Sequence, residues 1–328
     1  MATIINENLC STICASRPHI KHTTVKMYES NLRKLQSIFD TDTYAFLGDV
    51  DAVKQNVSHL HYTTQRNHFN AIIVLLMALG DDENKALTQQ YSTMRDEFNA
   101  KYVEDQQSGT ISDKQAGNFA TIDEIKGMVA KMKSEIAFHQ LKKKESLTSK
   151  DKELLQVYVI FNILLSIPLR NDLSGMRSTT TREFNKIPME EREHTNYLVV
   201  EKNSMKFVLN EYKTSRKCKE KVIQIPKDLQ RIMRMYLKIQ GDGILFTSPT
   251  GKVLSRNALS RLLTKTSTQY LGKAVGSTMM RKIVASDLLK DVKKMEEELS
   301  HKMGTDISTI KAILLRRPHD EINVYAAL

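Results

Sequence analysis

Two apolar stretches of helical length, one in each half of the chain, most constrain how this sequence folds. They are residues 63–79 (TTQRNHFNAIIVLLMAL) and residues 151–167 (DKELLQVYVIFNILLSI). A helix that is apolar on most of its sides must be buried among other elements. Because the 328 residues suffice for two cores, and polar residues 104–120 lie between the stretches, the sequence predicts two domains.

The first half has the periodicity of helices, and we expect a compact helical domain over residues 1–103. The four expected helices cover residues 23–40, 43–58, 63–79 and 82–103. Thr23 or Thr24 is the expected N-cap of the first helix, and the second is expected to begin near Asp49. Gly80 is expected to end the third helix.

The second half combines helices with strands. Residues 104–120 contain two glycines and are predicted to be a linker, after which Thr121 and Glu124 are expected to form a capping box. Residues 197–225 contain three β-branched and aromatic runs (YLVV, MKFVLNEY and KVIQIP), which predict short antiparallel strands. Further helices are expected over residues 151–167, 227–239, 255–270, 277–292 and 293–317. The predicted fold class is mainly α with a small antiparallel sheet.

The composition favours a polyanionic partner inside the cell. The net charge of +11 makes nucleic acid the first candidate and an anionic membrane the second, but no basic amphipathic helix with a large aromatic face supports the membrane. No stretch approaches the roughly 20 apolar residues of a membrane span. Three cysteines cannot form a disulfide framework, and they suit a reducing compartment.

A sparse set of cationic side chains suggests phosphate chemistry: Arg170, Lys213, Arg281 and His301. Arginine can donate two parallel hydrogen bonds to phosphate oxygens, lysine can protonate a leaving oxygen, and histidine can donate or shuttle a proton. Each residue also has an ordinary explanation. Arg170 could cap the helix or pair with Asp172, Lys213 could be an ordinary lysine between strands, and His301 could be a helix-end histidine. Arg281 lies in a mostly apolar helical context, which favours a special role.

The segments around these cations resemble the tyrosine recombinase (integrase) family, in particular the divergent recombinases of large DNA viruses and their satellites. PLRNDL, FVLNEYKTSRK with KVIQIP, LGKAVGSTMMRKIVASD and LSHKMGTD are similar to the motifs that carry the catalytic cations. TVKMYESNLRKL and TTQRNHFNAIIVLL are similar to the helical core-binding domain. The resemblance implies a DNA-binding domain over residues 1–103 and a catalytic α+β domain with a mobile C-terminal tail over residues 121–328.

The resemblance also implies a mechanism. A tyrosine would attack a DNA phosphodiester and form a 3′-phosphotyrosyl link, while Arg170, Arg281 and His301 hold the nonbridging oxygens. Lys213 would protonate the departing 5′ oxygen. The bond energy would be kept in the phosphotyrosine, so no cofactor, ATP or metal is expected. The expected partners are double-stranded DNA and further copies of the chain in a synaptic tetramer, and the expected location is intracellular and DNA-associated, in a host nucleus or cytoplasm or in a virion.

Two positions depart from the family pattern. Thr278 stands where the family has a histidine three residues before the second arginine. Ile310 stands about nine residues after His301, where the family has its tyrosine, and Tyr325 is the only tyrosine beyond His301. Tyr325 could be a displaced nucleophile, an aromatic residue that packs the tail onto a partner subunit, or a relic in a protein that binds DNA without cutting it.

The sequence therefore leaves several functions open. The first is a site-specific recombinase, and the alternative is a catalytically impaired DNA-binding protein on a recombinase scaffold. A topoisomerase-like relaxer with the same chemistry is a third. The candidate DNA-backbone contacts are Lys21, Lys26, Arg33, Arg66, Lys142, Lys143, Lys144, Arg216, Lys217 and Arg256.

Overall fold

The computed structural model describes residues 9–80, 82–107 and 113–309, which belong to two compact units. Unit 1 is Met1–Ile111 and unit 2 is Ser112–Leu328. The boundary falls within the segment that the sequence predicted as a linker, and residues 104–107 of that segment continue a helix of unit 1. No helix among the described residues is long and apolar enough to cross a membrane.

The described part of unit 1 is helical. Its helices are α1 (Leu9–Ser16), α2 (His22–Ile38), α3 (Val50–Val57), α4 (Tyr62–Leu79) and α5 (Asp82–Gln107), with a 3-10 turn at Ala45–Gly48. The four expected helices are present, and α1 was not expected. Helix α4 is central to the core, where Phe69, Ile72 and Leu75 are fully buried. The Tyr91 hydroxyl on α5 donates to the carbonyl of Leu47 at 2.9 Å and ties the 3-10 turn to this core.

The helix ends of unit 1 show which sequence signals were correct. Asp49 caps α3 by accepting the backbone N–H of Ala52 at 2.9 Å, and Gly80 ends α4 with a φ of 75°, both as expected. The expected cap at Thr23 or Thr24 is wrong, because α2 begins at His22 after Lys21. Helix α4 is capped by His61, whose ring accepts the backbone N–H of Thr63.

Unit 2 packs helices against one mixed sheet. Its longer helices are α7 (Ile122–Phe138), α8 (Ser149–Ser166), α12 (Lys227–Gln240), α13 (Arg256–Leu271) and α14 (Ser277–Met303). Its short helices are α6 (Asp113–Ala116), α9 (Thr181–Lys186), α10 (Met189–Arg192) and α11 (Ser215–Cys218). Thr121 and Glu124 form the predicted capping box of α7. Helix α8 is the buried helix that the second apolar stretch predicted, and Leu155, Ile160 and Ile163 are fully buried on it.

The sheet has five strands among the described residues, in the order β4-β3-β2-β1-β5. They are β1 (Arg177–Thr180), β2 (Tyr197–Val200), β3 (Met205–Leu209), β4 (Lys221–Gln224) and β5 (Gly243–Ile244). Strands β2, β3 and β4 are the three predicted antiparallel strands, with Val199 opposite Lys206 and Val208 opposite Val222. The sheet is mixed rather than purely antiparallel, because β1 runs parallel to β2 with Arg177 opposite Tyr197.

Helix α14 corrects the expectation of separate helices over residues 277–292 and 293–317. The helix is continuous from Ser277 to Met303 and ends at Gly304, whose φ of 60° is in the left-handed region. No glycine or proline lies within it to break the backbone hydrogen bonds.

Candidate active site

The segment that carries Arg170 is held by buried residues on both sides. Helix α8 ends at Ser166, and the chain passes through Pro168 into a 3-10 turn at Asn171–Leu173. Leu169 and Leu173 are buried, whereas Arg170 between them is exposed. The turn therefore presents the guanidinium of Arg170 at the surface of unit 2 from a fixed backbone.

Helix α14 brings Arg281 to the same segment. Arg281, in the second turn of the helix, donates from Nε to the carbonyl of Pro168 at 3.1 Å. The hydroxyl of Ser277, in the first turn, donates to Oδ1 of Asn171 at 2.7 Å. Two contacts thus fix the start of α14 against the residues on either side of Arg170.

Helix α13 brings a third arginine, Arg256. The side-chain amide of Asn171 donates to the backbone carbonyl of Arg256 at 3.2 Å, so Asn171 holds both α13 and α14. The guanidinium of Arg256 lies 3.4 Å from the carbonyl oxygen of Glu211, two residues before Lys213. Arg256 was predicted as a general DNA-backbone contact, and the structure places it between the segments of Arg170 and Lys213.

One buried carboxyl group is under the electrostatic influence of all three arginines. Asp172 is 6% exposed, and burial raises the pKa of its carboxyl. The charges of Arg256, Arg170 and Arg281 act in the opposite direction on that pKa, together with a backbone hydrogen bond from Arg170. The charges of all three arginines therefore act on the same buried carboxyl group.

Lys213 lies on an exposed turn after β3. Tyr212 beside it is buried, and its hydroxyl donates to the carbonyl of Lys219 at 2.8 Å, which closes the turn. Among the described residues, Lys213 has no hydrogen-bond or ion-pair partner. Its ammonium group is therefore available to a ligand.

The side chain of Asn196 connects the lysine turn to the arginine segment. Asn196 is 4% exposed, and its amide donates to the carbonyls of Asp172 at 2.9 Å and Glu211 at 3.0 Å. Its Oδ1 accepts the backbone N–H groups of Asn210 and Glu211 at 2.9 and 2.8 Å. Sequence analysis missed both asparagines. Asn171 lies in PLRNDL, where only Arg170 was singled out, and Asn196 lies in no motif, where a single asparagine gives no signal of burial.

The structure does not bring His301 to the arginines. His301 follows Arg281 by twenty residues on the same continuous helix, and at 1.5 Å per residue this places the two about 30 Å apart. His301 is exposed in the last turn. The expectation that it holds the same phosphate as Arg281 therefore does not fit this arrangement. Ile310 and Tyr325 lie outside the described residues.

The candidate DNA contacts of unit 1 differ in whether their charged groups contact other side chains of the protein. Lys21 and Lys26 are exposed, at the start and in the second turn of α2. Arg33 is ion-paired with Glu29 at 2.7 Å. The guanidinium of Arg66 lies 4.1 Å from the ring centroid of Tyr102.

The candidate contacts of unit 2 lie on exposed turns. Lys142 and Lys143 are exposed after α7, and Lys144 beside them is ion-paired with Asp151 at 3.1 Å. Arg216 and Lys217 lie on the short helix α11, in the same turn as Lys213. A stretch of DNA phosphates at Lys213 would therefore meet further positive charge.

Comparisons with known proteins identify the fold. No protein-family model matches the sequence, and no curated protein matches it. Among solved structures, the chain is similar to the Tn1549 transposon integrase in complex with circular intermediate DNA, at 15% identity and a TM-score of 0.51, over 99% of each chain. The chain has the tyrosine-recombinase fold. The fold that the sequence motifs implied is thereby confirmed.

Two further solved structures are less similar. One is the XerH site-specific recombinase bound to its difH substrate, at 11% identity and a TM-score of 0.46, over 88% of this chain and 75% of that one. The other is the XerA recombinase, at 12% identity and a TM-score of 0.34, over 87% of this chain and 84% of that one.

Proposed function

We propose that this chain is a DNA strand transferase that cleaves and rejoins DNA through a 3′-phosphotyrosyl intermediate. The observation that carries the proposal is the set of hydrogen bonds that holds the segments of Arg256 and Arg281 against the segment of Arg170. The segment of Lys213 is tied to it through Asn196. A phosphate whose charge grows during a reaction is stabilised by such preorganised donors.

Each cation has a role in the proposed reaction. Arg170 and Arg281 hold the nonbridging oxygens of the scissile phosphate by paired hydrogen bonds. Arg256 supplies the third cation in place of His301, which lies about 30 Å along the helix from Arg281. The hydroxyl of Tyr325 gives its proton to solvent and attacks the phosphorus, the bond to the 5′ oxygen breaks, and Lys213 gives that oxygen a proton.

Double-stranded DNA is the proposed partner. The net charge of +11 and the exposed lysines of both units favour a polyanion, and the Tn1549 integrase was solved with circular intermediate DNA. We further propose that the chain acts without a metal, as a synaptic tetramer on two duplexes at an intracellular, DNA-associated location.

A second candidate function is DNA binding without cleavage. Thr278 in place of a histidine and the distance of His301 from Arg281 leave the site without either histidine of the family pattern. In this alternative the arginines hold the DNA backbone, and Tyr325 has no chemical role.

A covalent-capture experiment distinguishes the two functions. The full chain is incubated with a library of nicked duplexes, and SDS-resistant protein–DNA adducts are counted beside DNA binding measured by fluorescence anisotropy. The strand transferase gives adducts that Tyr325→Phe and Arg281→Gln abolish, while Tyr28→Phe, in unit 1, leaves them unchanged. Binding without adducts would refute cleavage, and adducts that persist in Tyr325→Phe would refute Tyr325 as the nucleophile.

A further inference from the structure

The second half of α14 carries a row of exposed apolar side chains. We call Leu288, Val292, Met295 and Leu299 the α14 stripe. Each of the four is between 39 and 70% exposed. Their spacing of four, three and four residues places them on one face of the helix.

No part of the described structure covers the α14 stripe. Ile283 and Val284, near the start of α14, are buried in the core of unit 2. None of the four stripe residues belongs to a hydrophobic cluster of the described residues. A contiguous exposed apolar row of this kind marks a contact surface.

The charges beside the stripe argue for a basic occupant. Asp291 and Glu298 border it on one side, where Glu298 lies 4.0 Å from Lys294, and Glu296 borders it on the other. Lys302 is the basic residue that follows the stripe. If a second copy of α14 packed on the stripe, these acidic residues would face one another, and like charges across such a seam are unfavourable. A segment with apolar and basic side chains would place the apolar ones on the stripe and the basic ones beside the acidic residues at its borders.

The end of α14 turns the chain. The backbone N–H of Thr305 donates to the carbonyl of Ser300 at 3.2 Å. Gly304 has a left-handed backbone conformation, which lets the chain change direction at the end of the helix. The carboxylate of Asp306 then accepts the backbone N–H of Thr309 at 2.9 Å. Residues 307–309 are helical, so Asp306 acts as an N-cap at the point where the described residues end.

The sequence that continues from this cap matches the stripe. In ISTIKAILLRR, residues 307–317, Ile307, Ile310 and Leu314 recur at the spacing of one helical face. The same segment contains three basic residues and no acidic one: Lys311, Arg316 and Arg317.

We propose that residues 307–317 of the same chain dock antiparallel on the α14 stripe, with their basic residues beside the acidic borders. A helix of eleven residues is about 16 Å long, which is the length of α14 from Met303 back to Val292. The segment thus covers Leu299, Met295 and Val292. Docking directs the chain back towards the end of α14 that carries Arg281. The contact itself does not depend on the proposed DNA strand transfer.

Amide hydrogen exchange of the full chain tests the docking. In the wild type, the amides of residues 310–317 should exchange about tenfold or more slowly than in an unstructured peptide. The double variant Met295→Glu, Leu299→Glu should remove that protection. Lys290→Gln, Lys293→Gln changes the net charge by the same amount on the opposite face of α14 and should leave the protection unchanged.

A charge exchange keeps the test decisive if the apolar substitutions disturb α14. Asp291→Lys with Glu298→Lys should reduce the protection, and adding Arg316→Glu with Arg317→Glu should restore it. Unprotected amides in the wild type would overturn the proposal. If dilution removes both the protection and a dimer detected by sedimentation velocity, the α14 stripe is covered by a second copy of the chain. That result would also overturn the proposal.

Discussion

The side-chain amide of Asn196 donates a hydrogen bond to the backbone carbonyl of Asp172 at 2.9 Å. Because the same amide also holds the carbonyl of Glu211, Asn196 sets the distance between the segments of Arg170 and Lys213. We predict that Asn196→Asp, which keeps the shape but removes both donors, lowers adduct formation more than DNA binding. The lost bonds should also cost roughly 2–5 kcal/mol of unfolding free energy, measured in urea.

Asn162→Asp is the matched control for this substitution. Asn162 donates to the carbonyl of Tyr158 within α8, so its amide joins no two segments of the site. Adduct formation that falls equally in Asn162→Asp and Asn196→Asp would show that the loss reflects stability alone.

Arg256 is the arginine whose role the structure changes most, because it was predicted only as a general backbone contact. We predict that Arg256→Gln reduces the rate of adduct formation at saturating DNA about 10- to 100-fold, as expected for one charged hydrogen bond to the reacting phosphate. Arg261→Gln, on an exposed position of the same helix, should change that rate less than about twofold. Equal effects of the two variants would show that Arg256 is only a general contact to the DNA backbone.

Lys142 and Lys143 provide a test of DNA contact that does not require cleavage. Each phosphate contact adds about 0.9 to the slope of log affinity against log salt. The variant Lys142→Gln, Lys143→Gln should therefore reduce the slope by about two, measured by anisotropy titrations at several salt concentrations. Lys131→Gln, Lys133→Gln makes the same charge change on exposed positions of α7, and a slope that falls equally there would indicate only a net-charge effect.

The sequence predicted those elements that local patterns determine. The boundaries of α4 and α8 agree with the two apolar stretches to within two residues, because burial on most sides requires a long apolar run. Strand β1 was missed, since its four residues, RSTT, have no apolar alternation. It is a strand because β2 and β5 offer hydrogen-bonding edges on both sides, which is a property of the assembled sheet.

In the candidate site, too, the sequence indicated the residues that lie in local motifs but not those whose role depends on the folded chain. Motif resemblance selected Arg170, Lys213 and Arg281 as catalytic residues, and their roles remain predictions. The position of His301 depends on whether α14 is continuous past residue 292, and local periodicity does not decide that. Asn171 and Asn196 act by joining backbone segments that are far apart in sequence, so only the folded chain identifies them.

His68 predicts a pH dependence in unit 1. It lies on α4, is 2% exposed, and its Nδ1 is buried without a hydrogen-bond partner among the described residues. Burial lowers the pKa of its imidazole below the ordinary value of 6.5, against the effect of a backbone hydrogen bond with Asn31, and the nearby charge of Lys34 also lowers it. Because the unfolded chain binds the proton more tightly, His68 contributes stability above pH 6.5 that is lost as the pH falls below it, with a slope of at most about 1.4 kcal/mol per pH unit.

Hydrogen exchange of the α4 amides, corrected for the intrinsic effect of pH, measures this loss between pH 7.5 and pH 5.5. Protection in the wild type should fall over that interval, and His68→Gln should remove most of the dependence, because glutamine does not titrate. His59→Gln, at an exposed position near the end of α3, should retain the wild-type dependence. An unchanged dependence in His68→Gln would contradict the prediction and assign the acid sensitivity of unit 1 to other groups.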